Sequence, residues 1–561
     1  MKAITQPVSA TTTAAAVFLE TLKGLGVNYL FGNAGTDFAA VIEAYATHPD
    51  PAALPAPITV PHENLAVAMA HGAYLATGRP QAVMVHVNVG TANAACGLIN
   101  AAHEDIPLIL CAGRSPITET GSTASRNAFI HWAQEMFDQA SMVRESVKWD
   151  YELRRGEQVE TVVERAVSIA MQHPRGPVYL TFPRETFGEP AAACGRRIFA
   201  PVSTPAPDPQ AIAAASELLR TAKRPLVVTG GLGREARERE ALALFAGTHD
   251  AGVTGLRPRY MPLPTRHPNF LGFEPGPLVE DADLIIVAAC DVPWVPLHHG
   301  PAKSAKIVHI GYDPNFSRYP VRGFPSDLAI AGDPAASLLA LAAVPPNDSR
   351  IIEKRRAWLA QKRGAFEKAR DRQGGQSEAP TYDDVARALA AACRPDDVIL
   401  AETAFPLELL DLEAGNFHGA PSAGGLGWGL GAALGMKLAA PRRRVVSLLG
   451  DGAYMFGNPT PAHFVSRTYS APTLTVILNN SMWAAVRRAT LAVYPHSATK
   501  SNRNAPFTYL EPPPDYEIVV KACGGHGERV ERADQLADAF QRGFASVEKE
   551  GRQAVLNVMV A

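Results

Sequence analysis

Val445-Val-Ser-Leu-Leu-Gly450-Asp451-Gly452, followed by Thr473-Leu-Thr-Val-Ile-Leu478-Asn479-Asn480, is the stretch whose reading decides the fold. In each half an apolar run of strand length ends in a polar cluster, the pattern of neighbouring parallel strands whose carboxyl ends carry a ligand site. Gly450 and Gly452 let backbone N–H groups approach phosphate oxygens, Asp451 offers a hard anionic oxygen, and an Asn side chain adds a neutral one. That donor set suits an octahedral Mg2+ shared with a diphosphate. Gly-Asp-Gly alone is more often a turn than a metal site, and an Asn pair alone is commonplace; the combination becomes specific when each follows a strand at this spacing.

Two further polar positions stand out. Glu63, in Pro61-His62-Glu63-Asn64, opens an Ala-rich helical pattern, where the helix dipole alone would favour an acid. His86 ends the apolar run from Ala82 to Val85, just before Val89-Gly90-Thr91-Ala92-Asn93; a histidine there is ordinarily a hydrogen-bonded structural residue.

Leu30-Phe-Gly-Asn-Ala-Gly-Thr36, Val147-Lys-Trp-Asp-Tyr-Glu152, Gly176-Pro-Val-Tyr-Leu180, Pro264-Thr-Arg-His-Pro268 and Ala423-Gly-Gly-Leu-Gly427 join the diphosphate motif in a pattern that covers nearly the whole chain. It resembles the thiamine diphosphate (ThDP) enzymes, most specifically benzoylformate decarboxylase and related 2-oxoacid decarboxylases; acetohydroxyacid synthases and oxidases share part of it. The resemblance implies ThDP and Mg2+ as cofactors, with Asp451, Asn480 and the Met482 carbonyl on the metal and Gly450, Gly452 and Ala453 near the diphosphate. It implies Glu63 as the acid bonded to the pyrimidine ring, Gly424 as a carbonyl for the 4'-amino group, and Leu426 as the wedge between the cofactor rings. For proton transfers at the substrate it implies His86, which stands four residues ahead of Gly90, with Thr36 and the pair His298-His299 beside it.

The activity so implied is non-oxidative decarboxylation of a 2-oxo acid to an aldehyde. Ala404, Ala420 and Ala489, where the family places aromatic or hydroxyl-bearing residues, imply an aromatic or bulky substrate. Two alternatives stay open: a carboligase or lyase acting on 2-hydroxyketones, and a non-catalytic ThDP-binding relative, which would be expected to lose Glu63 or the metal ligands. In this family one cofactor is shared between two subunits, so the resemblance implies a homodimer at least and a homotetramer as a pair of dimers, with the helix around Leu65 to Leu75 near the interface.

At 561 residues the chain has room for about three or four domains. Apolar strands alternate with helical patterns, which predicts an α/β protein of three open parallel-sheet domains: a pyrimidine-binding domain over 1–190, a Rossmann-like middle domain over 200–345 and a diphosphate- and Mg-binding domain over 375–561. A Pro-rich linker, Pro201 to Pro209, and the junction Pro345 to Ser349 separate them. A charged helix is expected from about Ile351 to Arg372, a Gly/Gln/Ser-rich spacer up to Pro380, and, within the weakly periodic stretch Ala484 to Pro513, a loop closing over the substrate. Gly230-Gly231-Leu232-Gly233 reads as a strand-to-helix turn without the full dinucleotide fingerprint, so no FAD is expected.

The formal charge of −2 gives no general field for nucleic acid or anionic membrane. No apolar run approaches the roughly 18 residues of a membrane span and the start of the chain lacks a signal-peptide pattern, which points to a cytoplasmic protein. The six cysteines, Cys96, Cys111, Cys194, Cys290, Cys393 and Cys523, form no CxxC pair and read as buried free thiols.

Overall fold

Strands that are apolar along their whole length need cover on both faces, and this chain supplies it with crossover helices. The computed structural model describes residues 12–560 apart from 194, 196–198, 373–376 and 503. It divides into two compact units: one made of 1–202, 421–442 and 453–473, the other of 203–420, 443–452 and 474–561.

In the first unit six parallel strands lie in the order Ala56–Thr59, Tyr29–Gly32, Gln81–Val85, Leu108–Arg114, Val178–Pro183, Asp150–Glu152. The central strand Gln81–Val85 is buried at every residue. Helix Glu63–Thr77 packs within this unit against helix Trp428–Ala439. Their backbones nearly touch: a Cβ added to Gly72 would come within 1.9 Å of the Ala432 carbonyl oxygen, and one on Gly435 within 1.8 Å of the Met69 carbonyl oxygen. The helix expected near a subunit interface is thus covered inside its own unit.

The second unit holds two parallel sheets. One has the order Gly252–Thr254, Pro225–Thr229, Leu284–Ala288, Lys306–Gly311, Leu328–Ala331; the other runs Phe417–Gly419, Val398–Glu402, Val445–Gly450, Leu474–Asn479, Ala554–Met559, His526–Val530. Both sheets pack into one apolar core that includes Phe245, Leu338, Leu410 and Phe540. Numbered along the chain, the six-stranded sheets of the two units share one strand order, 2-1-3-4-6-5. In the five-stranded sheet's first turn, a Cβ on Gly231 would lie 2.7 Å from the Ala289 carbonyl oxygen and Gly233 has φ +108°, so packing and turn geometry account for these glycines.

Several sequence expectations need correction. The segment 484–513 is not wholly irregular, since Ala484–Val493 forms a helix. The charged helix runs from Ser349 to Arg370, two residues earlier than its composition suggested, because the Asp348 side chain caps it by accepting from the Arg350 N–H. Cys111 and Cys290 are buried free thiols, but Cys96, Cys393 and Cys523 are only partly buried. Cys194 and positions 373–376 of the spacer lie outside the described residues. Among the described residues, no helix is long and apolar enough to cross a membrane.

Candidate active site

The carboxyl ends of strands expose polar backbone and place the next residues in the crevice where strand order reverses. In the second unit the third and fourth strands of the six-stranded sheet are used in this way; in the first unit the residues that follow the first three strands are.

In the second unit, strand Val445–Gly450 delivers Asp451 to the start of the short helix Asp451–Phe456, and the neighbouring parallel strand Leu474–Asn479 delivers Asn480. Asp451 is 3% exposed. Its Oδ1 accepts the Gly452 N–H at 2.9 Å, and its Oδ2 is buried with no hydrogen-bond partner. Burial pushes its carboxyl up to about 6, only partly offset by the nearby N–H groups of Gly452, Ser481 and Met482. A carboxylate so placed fits a cation. The flanking donors are neutral: Asn480, whose Nδ2 donates to the Tyr382 hydroxyl at 3.2 Å, and the Met482 carbonyl, which also accepts the Ala484 N–H at 2.9 Å. One carboxylate with neutral oxygens suits Mg2+ completed by phosphate, rather than an all-protein cage. Gly452 must be glycine because a Cβ there would meet the Trp483 ring at 2.2 Å. Asn479, the other Asn of the pair, is taken up structurally, its Nδ2 donating to Asn557 Oδ1 at 3.0 Å and its Oδ1 accepting the Ser481 N–H at 3.1 Å. Ser481, at φ +56°, turns the chain sharply between Asn480 and Met482.

In the first unit, Glu63 begins its helix and is 6% exposed. Its two oxygens accept from amides rather than from a cation: Asn33 Nδ2 at 2.9 Å and Asn93 Nδ2 at 3.1 Å. Gly90 leaves it room, since a Cβ there would sit 3.3 Å from Glu63 Oε1. The Gly-Gly-Leu-Gly segment lies in the same unit. Asn100 clamps Gly425 twice, donating to its carbonyl at 2.7 Å and accepting its N–H at 3.0 Å. Gly424 and Gly427 have φ +69° and +89°, and a Cβ on Gly427 would approach the Phe456 carbonyl oxygen to 2.4 Å. Leu426 between them is half-buried.

His86 follows strand Gln81–Val85 and precedes helix Val87–His103. Its Nδ1 lies 2.6 Å from Asp37 Oδ1 and its Nε2 3.1 Å from Gln134 Nε2. The bond to Asp37 raises its basicity against the opposing effect of burial, with further help from the Asp37 and Glu63 charges. Thr36 Oγ1 is 3.4 Å from His131 Nε2. Because His131 Nδ1 accepts the Asn127 N–H at 3.3 Å, its Nε2–H is the donor to Thr36. Burial and the Arg184 and Arg126 guanidinium groups hold His131 below the ordinary histidine range.

The structure therefore groups Thr36, His86 and Glu63 in one unit and Gly450, Asp451, Asn480 and Met482 in the other. His298 is exposed, and His299 Nδ1 pairs with Glu280 Oε1 at 2.9 Å on the surface, so neither is bonded to the metal-motif residues. Sequence reasoning passed over Asn33, Asp37, Asn93, His131, Gln134 and Tyr382. Asn33 and Asn93 stood inside segments already singled out, and a buried acid needing donors was the signal that would have found them.

The sequence matches the thiamine pyrophosphate enzyme family in three parts: its N-terminal TPP binding domain over residues 12–142, its central domain over 212–341 and its C-terminal TPP binding domain over 409–558. Benzoylformate decarboxylase of Pseudomonas aeruginosa is 30% identical over 498 residues, spanning 83% of this chain and 86% of that protein. The acetolactate synthase large subunit of Haemophilus influenzae is 24% identical over 558 residues, 95% of this chain and 92% of that one. A solved Rhodococcus jostii ThDP-dependent 4-hydroxybenzoylformate decarboxylase shares the fold with a TM-score of 0.80 at 24% identity, over 98% of this chain and 99% of that chain. The chain belongs to the thiamine pyrophosphate enzyme family. It is a ThDP-dependent enzyme related to benzoylformate decarboxylases and acetolactate synthases.

Proposed function

We propose that this enzyme decarboxylates a 2-oxo acid with an aromatic or bulky side chain to the aldehyde, non-oxidatively, with ThDP and Mg2+. The observation that carries the reading is Glu63, a buried carboxylate that accepts from two amides, on the same unit as an acid–base histidine. Such an acid is placed to bond a ring nitrogen of a ligand, because among the described residues its oxygens meet amide donors and form no ion pair with a Lys or Arg. Asp451, Asn480 and the Met482 carbonyl would hold Mg2+, with Gly450, Gly452 and Ala453 at the diphosphate, while Gly424 and Leu426 would orient the cofactor rings. When bound, ThDP supplies a cationic electron sink for the electrons left as carbon dioxide departs. His86 then holds or returns a proton at the substrate carbonyl, and Thr36, fed by the His131 Nε2–H, bonds the same end of the substrate. The 298–299 pair is given no step in this scheme, whose proton transfers rest on His86 and Thr36.

Relatedness to acetolactate synthases supports a second reading, in which the product is a 2-hydroxyketone formed with a second carbonyl compound. One assay separates the two: incubate the enzyme with ThDP, Mg2+ and a panel of 2-oxo acids including phenylglyoxylate, and quantify carbon dioxide, aldehyde and hydroxyketone. Aldehyde equal to the carbon dioxide released supports decarboxylation; hydroxyketone as the main product transfers the assignment to carboligation; no carbon dioxide from any acid defeats both.

A further inference from the structure

The loop after strand Tyr29–Gly32 carries Asp37, 5% exposed, which no sequence motif singled out. Its carboxylate bridges two points of one junction: Oδ1 meets His86 Nδ1 at 2.6 Å and Oδ2 accepts the Val87 N–H at 3.2 Å. Val87 has φ +33°, a costly conformation for a β-branched residue, at the very turn that aims His86. The Asp37 bond to the Val87 N–H holds that turn in place. Space around the pair is reserved by glycines, since a Cβ on Gly35 would lie 2.1 Å from His86 Nδ1 and one on Gly113 would lie 1.8 Å from Asp37 Oδ2. On the other side of the ring, Gln134 donates from Nε2 to His86 Nε2 and keeps a buried, unpartnered Oε1.

We propose that Asp37 is a positioning residue for His86, fixing the ring with Nδ1–H toward the carboxylate and Nε2 toward the substrate side, and that Gln134 serves both protonation states of Nε2. In the neutral ring Nε2 accepts the Gln134 N–H, as observed. In the charged ring Nε2–H needs an acceptor, and half a turn of the amide presents the unpartnered Oε1. The dyad therefore lets His86 take up and release a proton at Nε2 without leaving a buried donor unsatisfied in either state. The charged and titratable groups around it are Asp37, Glu63 at the start of helix Glu63–Thr77, His131 of the short helix Ile130–Ala133, and Arg114 and Arg184, which line the pocket that holds Asp37, His131 and Gln134. The two carboxylates favour the charged ring, and Asp37, in direct contact, outweighs the more distant cations.

This rests on the reading of His86 as the proton-transfer group, so its test is made independent of turnover. Carbethoxylation of His86 by diethyl pyrocarbonate, followed by peptide mass spectrometry on the full-length protein, reports the fraction of neutral imidazole against pH. In the wild type the midpoint should lie above the roughly 6.5 of an unperturbed histidine, and in Asp37→Asn it should fall by about one pH unit or more. The His86-dependent limb of kcat/KM should move the same way, with KM changing less than kcat. A wild-type midpoint at or below that of a histidine model peptide overturns the proposal, as does an unchanged midpoint in a folded Asp37→Asn or Asp37→Ser protein. A midpoint shift in a protein that decarboxylates no 2-oxo acid would leave the dyad standing and remove the proposed reaction.

Discussion

Asp451 gives one carboxylate oxygen to the Gly452 N–H at 2.9 Å and keeps the other buried and unbonded. The consequence for stability has a definite sign. Burial raises this carboxyl from 3.8 to about 6, so the folded protein binds a proton more tightly than the unfolded chain. Stability then falls as pH rises from about 4 to about 6, and above that the ionised group costs about 3 kcal/mol in the absence of a cation. Asp451→Asn should therefore melt higher than the wild type in chelator at pH 7.5, and the two should converge near pH 4. Mg2+ with ThDP should raise the wild-type melting temperature more at pH 7.5 than at pH 5 and leave Asp451→Asn unchanged. Equal cofactor-induced shifts in both proteins would remove Asp451 from the metal site.

Glu63→Gln keeps the volume but turns one acceptor into a donor facing Asn33 or Asn93. Either Asn can rotate its amide to answer, so the fold should survive, as circular dichroism would show. Activity should drop by about 10²-fold or more, since the amide cannot supply a proton to a ring nitrogen. Wild-type turnover in this variant would withdraw Glu63 from catalysis.

Gly→Ala inside a helix ordinarily stabilises by about 0.5–1 kcal/mol. At Gly72 and Gly435 the sign should reverse, because the new methyl would overlap the Ala432 and Met69 backbones at 1.9 and 1.8 Å, which cannot swing aside. Each substitution should cost about 3 kcal/mol or more by chemical denaturation. Gly247, with nothing within 4 Å of an added Cβ, is the control expected to gain stability.

A shared cofactor site in a homodimer, or in a homotetramer built from such dimers, predicts complementation. Mixed Glu63→Gln and Asp451→Ala chains, each inactive alone, should recover part of the wild-type activity once subunits exchange, because one hybrid site then has both native residues. Exchange demonstrated by mass spectrometry without recovered activity, or full activity in a monomer by light scattering, would refute sharing.

Strand positions, and the placing of Asp451 and Asn480 at strand ends, were legible in sequence because both rest on local pattern. The apolar run Ala82 to Val85 falls within the strand Gln81–Val85 and ends with it, and Asp451 and Asn480 follow their strands directly. What escaped depended on contacts distant along the chain. Asp37 meets His86 across 49 residues and Gln134 meets it across 48, and neither has a spacing signature. The helix Ala484–Val493 was missed although Val486, Ala489 and Val493 recur at helical spacing, because the Pro, Asn and Arg residues that follow it set the reading of the whole segment. His298 and His299 were suggested by likeness alone, and likeness carries no information about which partner a side chain finds.

The repeated 2-1-3-4-6-5 wiring puts different chemistry into matching sockets. After the second strand one sheet is followed by Glu63 and its helix, the other by Gly424 to Leu426 and theirs; after the third, one carries His86 and the other Asp451. The hydrogen-bonded ladders are indifferent to which residue occupies a socket, since each lies beyond the last paired strand residue. A repeated scaffold of this kind can take on the two proposed tasks, proton handling in one sheet and cation binding in the other, by exchanging single side chains at strand ends while the sheets themselves stay unaltered.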